Sequence, residues 1–285
     1  MNQAQLLNIE LADLTIRGFR STPNNAASTT HRVMCIHGWL DNANSFAPVY
    51  PLLTHCDIVA IDLPGHGQSD HYRNNVPYTV ASSMHYVLQV ATALGWDSFH
   101  LLGHSLGGCI APLCAVAQSD QVESLMLIDA LGPISEPETD LPGRLMRFHR
   151  EMLLPPNQRA FNSIDDAVAI RMKAVTMTEP AARLIVERQL KKTQHGLQWS
   201  FDRKLKSASP SYFTEAQVQS ILKAIDCPVL CVIAENGYLI KHKYLQQRAA
   251  CVKNLTQATL SGNHYLHMDT PAPLATQINE FLGRL

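Results

Sequence analysis

The chain has 285 residues, of which 46% are hydrophobic and 16% charged, enough to bury one large α/β core or a core carrying an insertion. Its formal charge of -1 leaves no basic surplus to neutralise phosphates and no acidic tail, so nucleic acid is excluded as an expected partner. No apolar run approaches the ~18 residues of a membrane span, and "MNQAQLLNIELADL" has neither a cationic start nor an unbroken apolar stretch. The expectation is a soluble, cytoplasmic protein with no membrane span.

Seven cysteines, at 35, 56, 109, 114, 227, 231 and 251, form no CxxC pair and no zinc-finger spacing, and read as reduced buried thiols. Thirteen histidines raise the question of a metal, but HExxH is absent, and His242 and His267 lack a partner at helical ligand spacing. Neither a metal nor a cofactor is expected.

In chain order, "NIELADLTIRGFR" predicts one or two leading antiparallel strands. Strand-like runs follow at "RVMCIH" (32–37), "DIVAID" (57–62), "FHLLGH" (99–104), "VESLMLID" (122–129), "PVLCVIA" (228–234) and "LTQATL" (255–260). Helical patterns fill 78–95, 105–118, 214–224, 241–250 and 272–284. This alternation predicts a mostly parallel sheet with helices on both faces. From Pro133 to Tyr212 no strand-like run appears, and "LPGRLMRFHREML", "SIDDAVAIRMKAV" and "EPAARLIVERQL" read as helices. A stretch of this length is too long for a bare loop. It predicts a helical cap (133–212) inserted in a core made of 1–132 and 213–285.

The densest motif is "GHSLGG" at 103–108. A serine hydroxyl is a weak nucleophile unless a base takes its proton and the backbone presents it. Gly103 and Gly107 flank Ser105 as GxSxG between a strand and a helix, where a sharp turn leaves no room for side chains. The following helix offers its positive end to a developing oxyanion. Upstream, "IHGW" (36–39) follows a strand and can aim the backbone N–H of Trp39 at the oxygen that the Leu106 N–H would also meet.

With "HGW", "DLPGHGQS" (62–69), "GHSLGG" and "GNHYLHMDTP" (262–271), the chain resembles the α/β-hydrolase superfamily over most of its length. "HGWLDNANSF", "DLPGHGQSDH" and "LIDALGP" are similar to its serine hydrolase-like group. The resemblance implies an α/β-hydrolase fold with a mostly parallel eight-stranded sheet, a helical cap after strand six, and a Ser, acid, His triad.

It also implies that His264, on the loop after the last strand, is the base, with His267 the nearby rival. An imidazole with an ordinary pKa near 6.5 accepts the serine proton at neutral pH and returns it to the leaving group. The acid is less plain. Many relatives carry it after the seventh strand, where this chain reads "AENGY" and Gly237 stands in its place. Asp129, at the end of strand six, is the favoured substitute, because adjacent parallel strands deliver their ends to one edge; a subset of haloalkane dehalogenases uses that strand end. Glu235 is the alternative, and absence of any functional acid the third possibility.

A serine triad with backbone oxyanion donors acts on a carbonyl. The expected activity is hydrolysis of a carboxylic ester of a small to medium hydrophobic substrate through an acyl-enzyme. Thioester, lactone, amide and carbon–carbon bond hydrolysis, or a non-catalytic small-ligand receptor, share the same fold. Candidate pocket residues are His37, Asp41, His104, Leu131, Phe148 and Tyr265. Leu145, Met146, Phe148, Met152 and Leu153 either wall an acyl pocket or form the cap's own core.

Overall fold

The computed structural model describes residues 4–23, 31–73, 76–154 and 160–285. Its main sheet is built from β1 (Gln5–Glu10), β2 (Thr15–Ser21), β3 (His31–Ile36), β4 (Cys56–Ile61), β5 (Phe99–His104) and β6 (Val122–Ile128). After an excursion come α6 (Glu215–Lys223), β10 (Val229–Asn236), α7 (Leu245–Ala249), β11 (Leu255–Asn263), α8 (Leu266–Asp269) and α9 (Pro271–Leu282). The eight strands lie in the order β1-β2-β4-β3-β5-β6-β10-β11. β1 and β2 run antiparallel to their neighbours, and every other pairing is parallel.

Strands β4 and β5 are buried along their whole length, as a sheet covered on both faces requires. Successive side chains point to opposite faces, so Met34 and Ile36 join one apolar cluster while Val33 and Cys35 join the other. The first cluster packs beneath α1 (Val80–Ala93), α2 (Leu106–Ala117) and α6; the second packs against Phe46, Val49 and the Leu274, Ile278 and Phe281 stripe of α9. Each fully buried aliphatic side chain contributes ~1.5–3 kcal/mol by leaving water.

Parallel strands end on the same side of the sheet. His37, Ser105, Asp129, Gly237 and His264 therefore all emerge along one edge, just past or at the ends of β3, β5, β6, β10 and β11.

Between β6 and α6 the excursion holds α3 (Leu141–Met152), α4 (Ile164–Ala174) and α5 (Glu179–Gln189). It also holds three short strands, which the sequence reading did not anticipate: β7 (Ala160–Phe161), β8 (Leu190–Thr193) and β9 (Gly196–Trp199) form an antiparallel sheet in the order β7-β9-β8. Two to four residues are too few to establish an alternating pattern, and the paired lysines of β8 interrupt what alternation there is. The apolar core of this segment is made by Ala167 and Val168 of α4 with Ala181, Ala182, Ile185 and Val186 of α5, and it includes Tyr265, just after β11, and Met268 of α8.

Helix α3 takes no part in the apolar core of this segment. None of its residues is buried: Leu145 and Met146 are exposed and Phe148 and Met152 half-buried, with Leu153 exposed just beyond. The helix expected over 241–250 is shortened to α7, because His242 adopts an extended conformation after a single turn at Leu239–Lys241.

Candidate functional site

The elbow at Ser105 is a strained turn. Ser105 has φ +51° and ψ −108°, outside the conformations that side-chain-bearing residues prefer. What holds it there is packing on all sides. A Cβ on Gly107 would lie 2.6 Å from the backbone carbonyl carbon of Ile36, so α2 starts in direct contact with β3. The Ser105 N–H donates to Ile128 O at 3.1 Å and the Gly107 N–H to His37 O at 3.1 Å. The elbow is thus tied to the residue before Asp129 on one side and to the "HGW" loop on the other. Ser105 caps no backbone N–H of α2 with its hydroxyl.

Asp129 also has a left-handed backbone, φ +48°, which turns its carboxylate sideways along the sheet edge. There Oδ2 meets His264 Nδ1 at 2.6 Å and accepts from the Tyr238 N–H at 2.8 Å, while Oδ1 accepts from Ala234 N–H at 3.3 Å. The carboxyl is fully buried. Burial pushes its pKa up, but the bond to His264 and the N–H donors of Tyr238 and Ala234 outweigh it, so it stays below the ordinary aspartate value and ionised. An ionised acceptor makes His264 Nδ1 the donor and leaves Nε2 with its lone pair.

Gly237 explains why this acid fits. A Cβ on Gly237 would lie 2.6 Å from Asp129 Cγ and closer still to both oxygens. The place that a side chain at 237 would take is filled by the carboxylate of Asp129. Glu235, by contrast, is exposed and makes no part of this cluster.

Three imidazoles pack together here: the His104 ring lies 4.7 Å from His264 and 4.0 Å from His267. Only His264 bears on a carboxylate through a short hydrogen bond. His104 is fully buried, with Nε2 donating to His264 O at 2.9 Å; burial, then the neighbouring His267 and His264, drive its pKa far down and keep it neutral. His267 Nε2 pairs with Ser45 Oγ at 2.7 Å, and burial, then the neighbouring His264, holds its pKa down at about 3. Tyr238, 65% exposed, lies with its ring 4.3 Å from that of His264 and covers it from the outer side.

The "HGW" loop turns tightly, with the Asp41 N–H bonded to Gly38 O at 3.1 Å and Leu40 at φ +58°. Among the described residues neither the Trp39 nor the Leu106 N–H donates to a backbone acceptor outside regular elements. The Trp39 ring is half exposed and anchored by its Nε1–H to Leu205 O at 2.8 Å.

Of the expected pocket residues, Leu131 packs into the sheet core instead, 1% exposed. His37 is wholly buried and structural: Nε2 accepts from the Leu63 N–H at 3.0 Å and Nδ1–H donates to Gly38 O at 2.7 Å, joining the loops after β3 and β4. Phe148 stays half-buried on α3. Asp41 and Tyr265 lie buried beneath the site and meet at Arg171 of α4, whose guanidinium also bonds Leu40 O at 3.1 Å. Arg171 was not among the residues singled out from sequence. Its signal was a charge at the spacing of the apolar stripe, four residues after Ala167 and three after Val168, both buried.

Asp62 braces the loop after β4 and the excursion together: Oδ1 accepts from Ala43 N–H at 2.8 Å and Oδ2 from Gln68 N–H at 2.8 Å, and Arg188 of α5 pairs with it at 2.8 Å. All seven cysteines are free thiols. Among the described residues no group of three or more His, Cys, Asp or Glu is arranged to hold a metal, and no helix is long and apolar enough to cross a membrane.

Residues 31–271 match the family described as alpha/beta hydrolase fold. The chain is 30% identical to a serine hydrolase-like protein of Mus musculus, over 89% of this chain and 88% of that protein. Among solved structures, a hypothetical protein of Pseudomonas aeruginosa PAO1 superposes with a TM-score of 0.89 at 30% identity, covering 97% of both chains. A thioesterase domain from the curacin biosynthetic pathway superposes with a TM-score of 0.83 at 24% identity, over 97% of this chain and 99% of that one.

Proposed function

Since the chain belongs to the α/β-hydrolase superfamily, and within it to the serine hydrolase-like group, we propose that it hydrolyses carboxylic esters with Ser105 as nucleophile, His264 as base and Asp129 as acid. The observation that carries this reading is the 2.6 Å bond between His264 Nδ1 and the buried Asp129 carboxylate, one residue beyond Ile128, whose carbonyl accepts from the Ser105 N–H. It gives His264 the tautomer that accepts a proton at Nε2, and a fixed negative charge to stabilise the imidazolium that results.

In this mechanism Ser105 Oγ adds to the carbonyl carbon while its proton passes to His264 Nε2. The carbonyl oxygen becomes an oxyanion and is met by the N–H groups of Trp39 and Leu106. Collapse expels the alcohol, which takes the proton from His264, and leaves an acyl-Ser105 ester. Water then repeats the addition with His264 again as base, releasing the acid and restoring Ser105. Thioesters follow the same steps with a thiol as leaving group. Residues 133–212 act as a cap on a core of 1–132 and 213–285, and Trp39 and Tyr238 form the rim through which a hydrophobic acyl or alcohol group enters.

The test is p-nitrophenyl butyrate hydrolysis by wild type, Ser105→Ala, Asp129→Asn and Glu235→Gln, each checked for folding by circular dichroism. Turnover is expected in wild type and Glu235→Gln, none in Ser105→Ala, and ~10⁴-fold less in Asp129→Asn, the cost of the wrong tautomer in serine triads. A folded Asp129→Asn variant at full rate would discard the strand-six acid.

A further inference from the structure

Arg171 reaches out of the inserted segment into the loops that surround Ser105. It lies in the last turn of α4, and its side chain is 11% exposed. Nη1 donates to Leu40 O at 3.1 Å; Nη2 donates to Asp41 Oδ1 and, at 2.9 Å, to Tyr265 OH. Leu40 and Asp41 close the turn that contains Trp39, and Tyr265 is the residue after His264. Asp41 Oδ2 in turn lies 3.7 Å from His104 Nδ1, beside the nucleophile. One guanidinium therefore touches the loop of the oxyanion donor and the loop of the base.

The turn needs such a fastening. Leu40 at φ +58° sits in the left-handed region, which a residue other than glycine keeps only when its surroundings impose it. The Asp41 N–H to Gly38 O bond closes the turn from within, and Arg171 is what holds the Leu40 carbonyl from without. The planar fork of arginine supplies two separately aimed nitrogens for this; a lysine ammonium could hold the charge of Asp41 but not bridge to Leu40 and Tyr265 in the same geometry. The charge itself is needed because Asp41 is wholly buried.

Resting on the serine hydrolase reading above, we propose that Arg171 is a positioning residue for the oxyanion hole: it sets the Trp39 N–H through the Leu40–Asp41 turn, and makes that setting depend on the seating of α4. Seating of α4 against these two loops thereby contributes to the transition-state affinity of the site.

The experiment separates transition-state from ground-state binding. A trifluoromethyl ketone is attacked by Ser105 Oγ, the proton passes to His264 and the ketone oxygen becomes the oxyanion; the matching methyl ketone binds without appreciable addition. Arg171→Lys and the charge-neutral pair Arg171→Met with Asp41→Asn are compared with wild type for kcat, KM, affinity for both ketones and thermal midpoint. The result expected for Arg171→Lys is a 10- to 100-fold fall in kcat and an equal loss of trifluoromethyl ketone affinity, with KM and methyl ketone affinity within threefold of wild type. The neutral pair, which removes the buried charge problem, shows the same split.

Unchanged trifluoromethyl ketone affinity in either folded variant would overturn the proposal. So would a rise in KM with kcat retained, which would make Arg171 a substrate-binding group. If wild type neither turns over esters nor binds the trifluoromethyl ketone more tightly than the methyl ketone, the hydrolase reading fails, and this inference with it.

Discussion

Gly237→Ala adds one methyl group where it must collide with the Asp129 carboxylate. The new Cβ would lie 2.6 Å from Asp129 Cγ, whereas real Cβ atoms keep at least 3.0 Å and ordinarily 3.4 Å or more. The carboxylate must therefore retreat by at least about 0.4 Å to escape the worst overlap and at least about 0.8 Å to reach ordinary contact, its oxygens lying closer still than Cγ. Moved that far, the 2.6 Å bond to His264 and the 2.8 Å bond from Tyr238 N–H both lengthen beyond their favourable range. A misplacement approaching ~1 Å near the reacting groups costs ~10²-fold in rate, and each tenfold is ~1.4 kcal/mol in activation free energy.

The expected outcome for Gly237→Ala is a ~10²-fold lower kcat on p-nitrophenyl butyrate with KM little changed. The proton signal of His264 Nδ1–H in the far downfield region should also shift or broaden. Gly237 has an ordinary backbone conformation, being absent from the positive-φ glycines, so alanine brings no backbone strain of its own. Full activity together with an unaltered Nδ1–H signal would refute the reasoning, because the carboxylate would then have tolerated the methyl group without leaving His264.

Stability should fall steeply in acid. Burial holds His37, His66 and His104 below their ordinary pKa, His100 at about 4 and His267 at about 3. Below ~6.5 the unfolded chain protonates these rings and the folded one does not, so stability present above that pH is lost as pH falls, each ring approaching ~1.4 kcal/mol per unit. Urea midpoints measured from pH 7 to 4.5 should drop continuously, and a flat profile would contradict the neutral buried rings. Arg188→Met leaves the fully buried Asp62 without its 2.8 Å partner and should cost ~3–5 kcal/mol by urea titration. A cost under ~1 kcal/mol would mean that the Ala43 and Gln68 N–H groups suffice to hold Asp62.

The main sheet is legible in sequence because its central strands are short apolar runs, with helical patterns following β4 and β5, and because parallel neighbours covered on both faces need no alternation. The inserted segment is less so. β7, β8 and β9 are only two to four residues long, and α3 has an amphipathic sequence yet buries nothing, since the apolar core of the segment forms instead between α4, α5 and the residues after β11.

At the site, GxSxG and the histidine loop are visible as motifs, and so is the missing acid at Gly237. What fills the gap depends on φ +48° at Asp129, a backbone angle that no residue type announces. Leu131 shows the same limit from the other side: two residues after Asp129, it turns into the core and away from the site. Arg171 lay hidden because its partners, Leu40, Asp41 and Tyr265, are 131, 130 and 94 residues away in the chain.

If Ser105 is a nucleophile activated by His264, it is modified by a fluorophosphonate, which a serine attacks at phosphorus with loss of fluoride, and peptide mass mapping locates the adduct. One adduct per chain is expected on the peptide containing Ser105, absent in Ser105→Ala and slowed by orders of magnitude in His264→Ala. No adduct on folded wild type, or an adduct on another residue that survives Ser105→Ala, would contradict that role.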